Sequence, residues 1–352
     1  MEKERHPFYL QLSLRLLSAV IILFLMYIGK GMLVPLCLAG IFTLGLATPC
    51  GWLEGKGFNK NLAAMTCVLL SLIIVALIIF FISMQMANFK EDLPKLKTQF
   101  NQGLAEGEKF LHDKFNVSHS SLVKYLSELE DTMLSHSSTV VGTTFATLTT
   151  VILYFVLVPI YTFLMLIYRG QVVKFLEESF EDKYKGHVTN IVKNTKFVIR
   201  SYVGGLGIEM LIVAALICIG LSVLGVKYAI LLGILGAVMN IIPYLGIFTA
   251  ILISFLITIS TNGISTALLA ILILAIIHMI DSNILLPKIV GSKVKINALV
   301  TIVVVILGEN IWGIPGMFLS VPLIAILKVI CDGSVGMKPW GILLGAEEKL
   351  KK

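Results

Sequence analysis

Few residues in this chain are placed to do chemistry, and each is conspicuous because its neighbours are apolar. Glu209 follows the run Gly204-Gly205-Leu206-Gly207 inside an apolar stretch, His278, Asp281 and Asn283 close another, and Glu309 with Asn310 interrupts a third. A charged side chain costs roughly 2.5 to 3.5 kcal/mol at the centre of a hydrocarbon-spanning helix, so each is a candidate ion- or substrate-binding group by default. On a helix His278 and Asp281, three residues apart, share a face, where an imidazole beside a carboxylate can relay a proton. The plainer reading is that both mark where the segment meets water. Glu209 likewise has two readings: a buried ion-binding carboxylate, or an interfacial one hydrated or paired with Lys or Arg. The glycines before it let another helix approach closely.

Two of the polar sets sit at breaks. Asn240, Pro243, Tyr244 and Gly246 interrupt the run Tyr228 to Ile259, and Gly308 to Gly316, with Glu309 and Asn310, interrupts Ala298 to Ile330. Backbone carbonyls freed at such a break can coordinate a cation beside these side chains. Helix capping or local pairing is the alternative.

Enzyme signatures are missing. The sequence has no HExxH, GxGD, GxSxG or Walker loop, so no catalytic residue, cofactor or metal site is expected, and any transport is secondary rather than powered by ATP bound to this chain. The other histidines, His6, His112, His119, His136 and His187, are scattered through polar segments. Cys37, Cys50, Cys67, Cys218 and Cys331 form no CxxC pair and read as small core residues.

The elements that carry these residues belong in a bilayer. With 57% hydrophobic and 14% charged residues and a mean hydropathy of +0.94, the chain has too little polar surface to cover a globule in water. Its net charge of +7 follows from the positive-inside bias and does not call for a nucleic-acid partner. The expected fold class is an all-α polytopic integral membrane bundle, with paired re-entrant or broken helices in the C-terminal half and amphipathic helices outside the membrane.

Four spans are legible: Leu12 to Ile28, an uncleaved first span and not a signal peptide, then Met32 to Thr48, Leu62 to Ser83 and Phe145 to Tyr168. Lys3 and Arg5, Lys56 and Lys60, and the segment Arg169 to Arg200, with seven basic residues against four acids, are expected in the cytoplasm; Met84 to Val140, with six Lys against eight acids, is expected outside. That outer segment repeats apolar residues at Phe89, Leu93, Leu96, Phe100 and Leu104 and again at Leu122, Leu126, Leu129 and Met133, which predicts two amphipathic helices lying on the bilayer or on a neighbouring subunit. The predicted organisation is N-terminal spans over 1–83, an extracytoplasmic arm over 84–140, a fourth span over 141–168, a cytoplasmic amphipathic helix over 169–200, a transport domain over 201–331 and a cytoplasmic tail over 332–352. In the helix over 169–200, Phe175, Leu176, Phe180, Val188 and Ile191 are expected on the buried side.

The transport domain reads as a span plus an interrupted hairpin, used twice with opposite orientation. Asn240 to Phe248 (NIIPYLGIF) aligns with Asn310 to Phe318 (NIWGIPGMF) at Asn, Ile, Gly and Phe. Paired interrupted segments point to a transporter binding site, and tips meeting near the midplane would make one site alternately open to each side. Two ordinary kinked helix pairs are the alternative.

Gly225 to Gly246, Met279 to Val300 and Gly308 to Ile330 resemble the autoinducer-2 exporter family of bacterial membrane proteins in order and spacing. The family's acidic-x-Asn motif before Leu-x-Pro falls on Asp281 and Asn283, and its Pro-Tyr-x-Gly on Pro243, Tyr244 and Gly246; Ile247 stands where the family often has Pro. The resemblance implies a multi-pass protein of the bacterial cytoplasmic membrane with both termini in the cytoplasm, assembled as a homo-oligomer, a pentamer. It implies export of a small polar solute such as an autoinducer-2-type signal, or sodium/proton antiport as in other members. A membrane scaffold or permeability factor without cargo is the third reading. Expected partners are the lipid bilayer and a small-molecule or monovalent-cation substrate.

Overall fold

The computed structural model describes residues 7–85, 150–242, 245–291 and 296–346. The predicted outer arm beyond Gln85, Pro243 and Tyr244 lie outside them. The described residues are helical almost throughout, as the bilayer requires: without water to satisfy N–H and C=O groups, a spanning segment must bond its own backbone. The helices are α1 (Phe8–Ile28), α2 (Lys30–Gly55), α3 (Lys60–Gln85), α4 (Thr150–Glu178), α5 (Asp182–Val223), α6 (Ala229–Met239), α7 (Leu245–Ile280), α8 (Ala298–Trp312), α9 (Ile314–Gly333) and α10 (Lys338–Leu344). Among these, α2, α3, α4, α5, α7 and α9 are long and apolar enough to cross a membrane. Large apolar side chains along α1 and α3, from Leu16 to Ile28 and from Leu69 to Phe80, are exposed, which suits lipid as their solvent.

The chain divides into two compact units. The first comprises Met1–Thr48, Tyr154–Ile199 and Ile296–Lys352. In it, Thr43 of α2 donates to the Thr162 carbonyl of α4 at 3.4 Å, and the Trp312 indole of α8 donates to the Met26 carbonyl of α1 at 2.9 Å. Helices α8 and α9 form a hairpin through Gly313, whose φ of 65° is open to glycine at little cost. Ser320 of α9 closes it by donating to the Val304 and Gly316 carbonyls at 2.7 and 2.6 Å.

The second unit comprises Pro49–Leu153 and Arg200–Lys295. Its core is aliphatic, built on Val213, Ile217 and Leu221 of α5, Leu231 and Leu232 of α6, and Ile257, Leu274 and Ile277 of α7. The turn after α5 is pinned by Asn262, whose amide donates to the Gly225 carbonyl at 3.0 Å. Helix α7 turns at Gly263 (φ 83°), so its first half packs back on α6 and its second half returns as a separate arm. Beyond Ile280 the chain widens into π-helical turns, Asp281–Leu285 and Pro287–Gly291. Pro287 explains the widening locally, because its ring cannot donate to, and clashes with, the carbonyl four residues earlier.

Both breaks fall where the sequence places them, and both stretches fold as hairpins. The first arm is shorter than expected: α6 has 11 residues, about 16 Å of helix at about 1.5 Å per residue against a hydrocarbon core of about 30 Å. The expected separate helix over 169–200 is corrected. That segment is shared between the end of α4 and the start of α5, with the break only at Ser179 to Glu181, and Phe175 and Phe180 face outward instead of inward.

Candidate functional site

The second unit brings three of the predicted residues into direct contact. Glu209 reaches the site from α5, Asn240 caps the C-terminal end of α6, and Asp281 opens the π-helical segment after α7. The Asn240 amide donates to both carboxylates, to Asp281 Oδ2 at 2.9 Å and to Glu209 Oε1 at 3.3 Å. Glu209 and Asp281 are 3% and 4% exposed, and among the described residues Glu209 is held by an amide and pairs with no Lys or Arg. The shared amide brings the two carboxyl groups to one place in the core.

Each element delivers its residue for a local reason. The chain leaves α6 at Asn240, whose own N–H bonds the Gly236 carbonyl at 2.9 Å, and this frees the side chain to turn inward. Gly246 makes the return possible. A Cβ there would fall on the Met239 carbonyl, so only glycine lets the start of α7 cross the end of α6 this closely.

The cluster is incompletely satisfied. Glu209 Oε2, Asp281 Oδ1 and His278 Nδ1 are buried without a hydrogen-bond partner among the described residues. Asn240, His278 and Asp281, with Ile217, Ile247 and Ala250, line a cavity of about 10 Å³. That is room for about one water-sized occupant. Two buried carboxylates that share one neutral amide carry more negative charge than the amide's two N–H groups can offset.

The remaining predicted residues are placed elsewhere. Asn283 is exposed and its amide donates to the Met279 carbonyl at 2.8 Å, two residues on from Asp281 and therefore on another helical face. Glu309 and Asn310 are exposed, and the Asn310 amide bonds the Ile306 carbonyl of its own helix at 2.8 Å. Two buried polar residues of the same unit were not singled out by the sequence. Ser254 and Thr258 are buried one turn apart on α7; as hydroxyls in an apolar run they gave a signal, but a weak one, since such side chains usually bond their own helix.

Residues 16–336 match the sequence model of a family described as AI-2E family transporter. Among curated relatives, the chain is 31% identical to "Putative transport protein YueF" of Bacillus subtilis over 59% of this chain and 55% of that protein, so it spans about half of that relative's length. It is 23% identical to "Putative transport protein YrrI" of Bacillus subtilis, over 86% of each chain. It is also 23% identical to "Putative transport protein YhhT" of Escherichia coli, over 96% of this chain and 94% of that one.

Proposed function

The chain belongs to the AI-2E family of membrane transporters, and from that premise we propose that it is a secondary transporter of the bacterial cytoplasmic membrane, coupled to protons or a monovalent cation at Glu209, Asn240 and Asp281. The observation that carries this reading is the single amide bridging two buried carboxylates. A site with surplus negative charge, little water and oxygen donors from three elements suits a small hard cation or a proton. His278, whose Nδ1 is unpartnered beside Asp281, is the proposed relay to the exterior of the cluster.

The exported solute in this reading is a small polar organic molecule, with autoinducer-2-type signals the candidate class that the family description suggests. A second reading, sodium/proton antiport, is favoured by one observation: the cavity beside the cluster, about 10 Å³, holds an ion or a water and not a sugar-sized molecule. Under either reading both termini are cytoplasmic and the active form is a homo-oligomer, which the basic segments and the resemblance support.

Inside-out vesicles containing the full chain test the proposal. Imposing a sodium gradient, and separately supplying a furanone signal, should move protons detectably by a pH-sensitive dye in at least one case. Asp281→Asn and Glu209→Gln each keep the shape but remove a charge, and each is expected to lower that proton movement at least about tenfold, the equivalent of about 1.4 kcal/mol. Solute flux with no proton or cation dependence, unchanged in both variants, would refute coupling at this cluster.

A further inference from the structure

The first unit contains a large trough that the transport reading does not use. It has a volume of about 1300 Å³ and is lined by α2, α4, α5 and α9, beyond the roughly 300 to 1,000 Å³ of a pocket for a drug-sized molecule. Its floor is apolar, with Ile41, Leu44, Met165, Leu323, Ile326 and Ile330. Its rim is cationic. Arg169, Lys174 and Lys196 line it together with His187, against one acid, Glu177, and that acid already accepts the Thr189 hydroxyl at 2.8 Å. Lys174 has only a long, exposed contact with Glu178 at 3.8 Å, worth little in water. Lys196 has no carboxylate partner among the described residues.

We propose that this trough binds an anionic phospholipid from the leaflet on the side of the basic segment 169–200, its acyl chains on the apolar floor and its phosphate against Lys174, Lys196 and Arg169. The complement of a long apolar floor with a positive rim is an amphiphile with a negative head, and basic pockets between spanning helices hold anionic headgroups. A helix from a second copy fits the charge less well. The helices with the most exposed apolar faces, α1 and α3, contain no Asp or Glu to meet the rim. The coupling cluster plays no part in this inference, and lipid binding is read without measuring transport.

The test uses the full chain in detergent, titrated with dioleoylphosphatidylglycerol or dioleoylphosphatidylcholine and read by native mass spectrometry. The glycerol lipid should be retained about tenfold more strongly. Lys174→Gln and Lys196→Gln, both at exposed positions, should each weaken it on the order of fivefold, from about 1 kcal/mol per surface cation, and leave the choline lipid unchanged. A Cβ at Gly40, which lines the trough, meets nothing within 4 Å, so Gly40→Leu projects into open space and should reduce retention of both lipids without loss of folding. Equal retention of the two lipids by the wild-type chain, or full retention by Gly40→Leu, overturns the proposal. So does efficient disulfide formation between two copies carrying Ile326→Cys, which would mean that a second subunit fills the trough.

Discussion

The two interrupted hairpins are built alike and used differently. Aligned at Asn240 and Asn310, they place Gly246 and Gly316 in equivalent positions, and both glycines make the same contact: a Cβ would strike a backbone carbonyl of the opposing arm, Met239 in the first and Gly308 in the second. The asparagines diverge. Asn240 leaves its helix and bridges Glu209 and Asp281, whereas Asn310 folds back on Ile306 and its neighbour Glu309 is exposed. A break in a helix therefore supplies freed polar groups, but it becomes a buried site only where other elements bring complementary groups to it. Around the first break α5 and the π-helical end of α7 do so.

The sharpest way to break this comparison is to treat the two asparagines identically. Asn240→Leu removes the one donor shared by two buried carboxylates, and leaving such groups unsatisfied costs about 1 to 3 kcal/mol. Proton-coupled flux should fall to background and the thermal midpoint should drop. Asn310→Leu loses a bond within one exposed helix turn, a change expected to stay within about 0.5 kcal/mol. Equal effects in thermal unfolding and dye-monitored vesicle assays would mean that the hairpins are functionally symmetric.

A smaller, structural effect tests the likeness instead of the difference. Gly246→Ala and Gly316→Ala each push a methyl into a carbonyl, and overpacking of this kind typically costs about 1 to 3 kcal/mol. The two losses should match within about 0.5 kcal/mol in unfolding midpoints of the purified chain. A neutral Gly246→Ala would show that the arms do not cross as closely as the structure places them.

Much of this was legible before the structure. Hydrophobic runs long enough to cross lipid marked α2 through α5, and Gly/Pro interruptions marked both hairpins, because a bilayer leaves the backbone few alternatives. Glu209 and Asp281 were legible for the same reason: charge in an apolar run is costly. What the sequence could not show is partnership. Glu209 and Asn240 are separated by 31 positions and Asn240 and Asp281 by 41, and no local periodicity relates them. The family's acidic-x-Asn motif suggested that Asp281 and Asn283 act together, yet one residue turns into the core and the other outward, a matter of helical angle that the motif does not encode. The inward face expected for Phe175 and Phe180 failed: both are exposed, at the end of α4 and in the break before α5.

The smallest expected effect concerns Glu309, which charge alone made as strong a candidate as Asp281. Its carboxylate is exposed and among the described residues no cation pairs with it. Its backbone carbonyl is the part with a structural task, accepting the Gly313 N–H at 2.7 Å to close the turn between α8 and α9. Glu309→Gln preserves that carbonyl and the side-chain volume and removes only the charge. An exposed carboxylate has no desolvation to recover and no partner to orphan, so stability should change by no more than about 0.5 kcal/mol. Coupled flux should stay within about twofold, under about 0.4 kcal/mol of barrier, while Asp281→Asn in the same vesicles loses it. If Glu309→Gln instead abolishes proton movement with the unfolding midpoint unchanged, the second break carries an ion as well, and the contrast between an occupied hairpin and a self-satisfied one no longer holds.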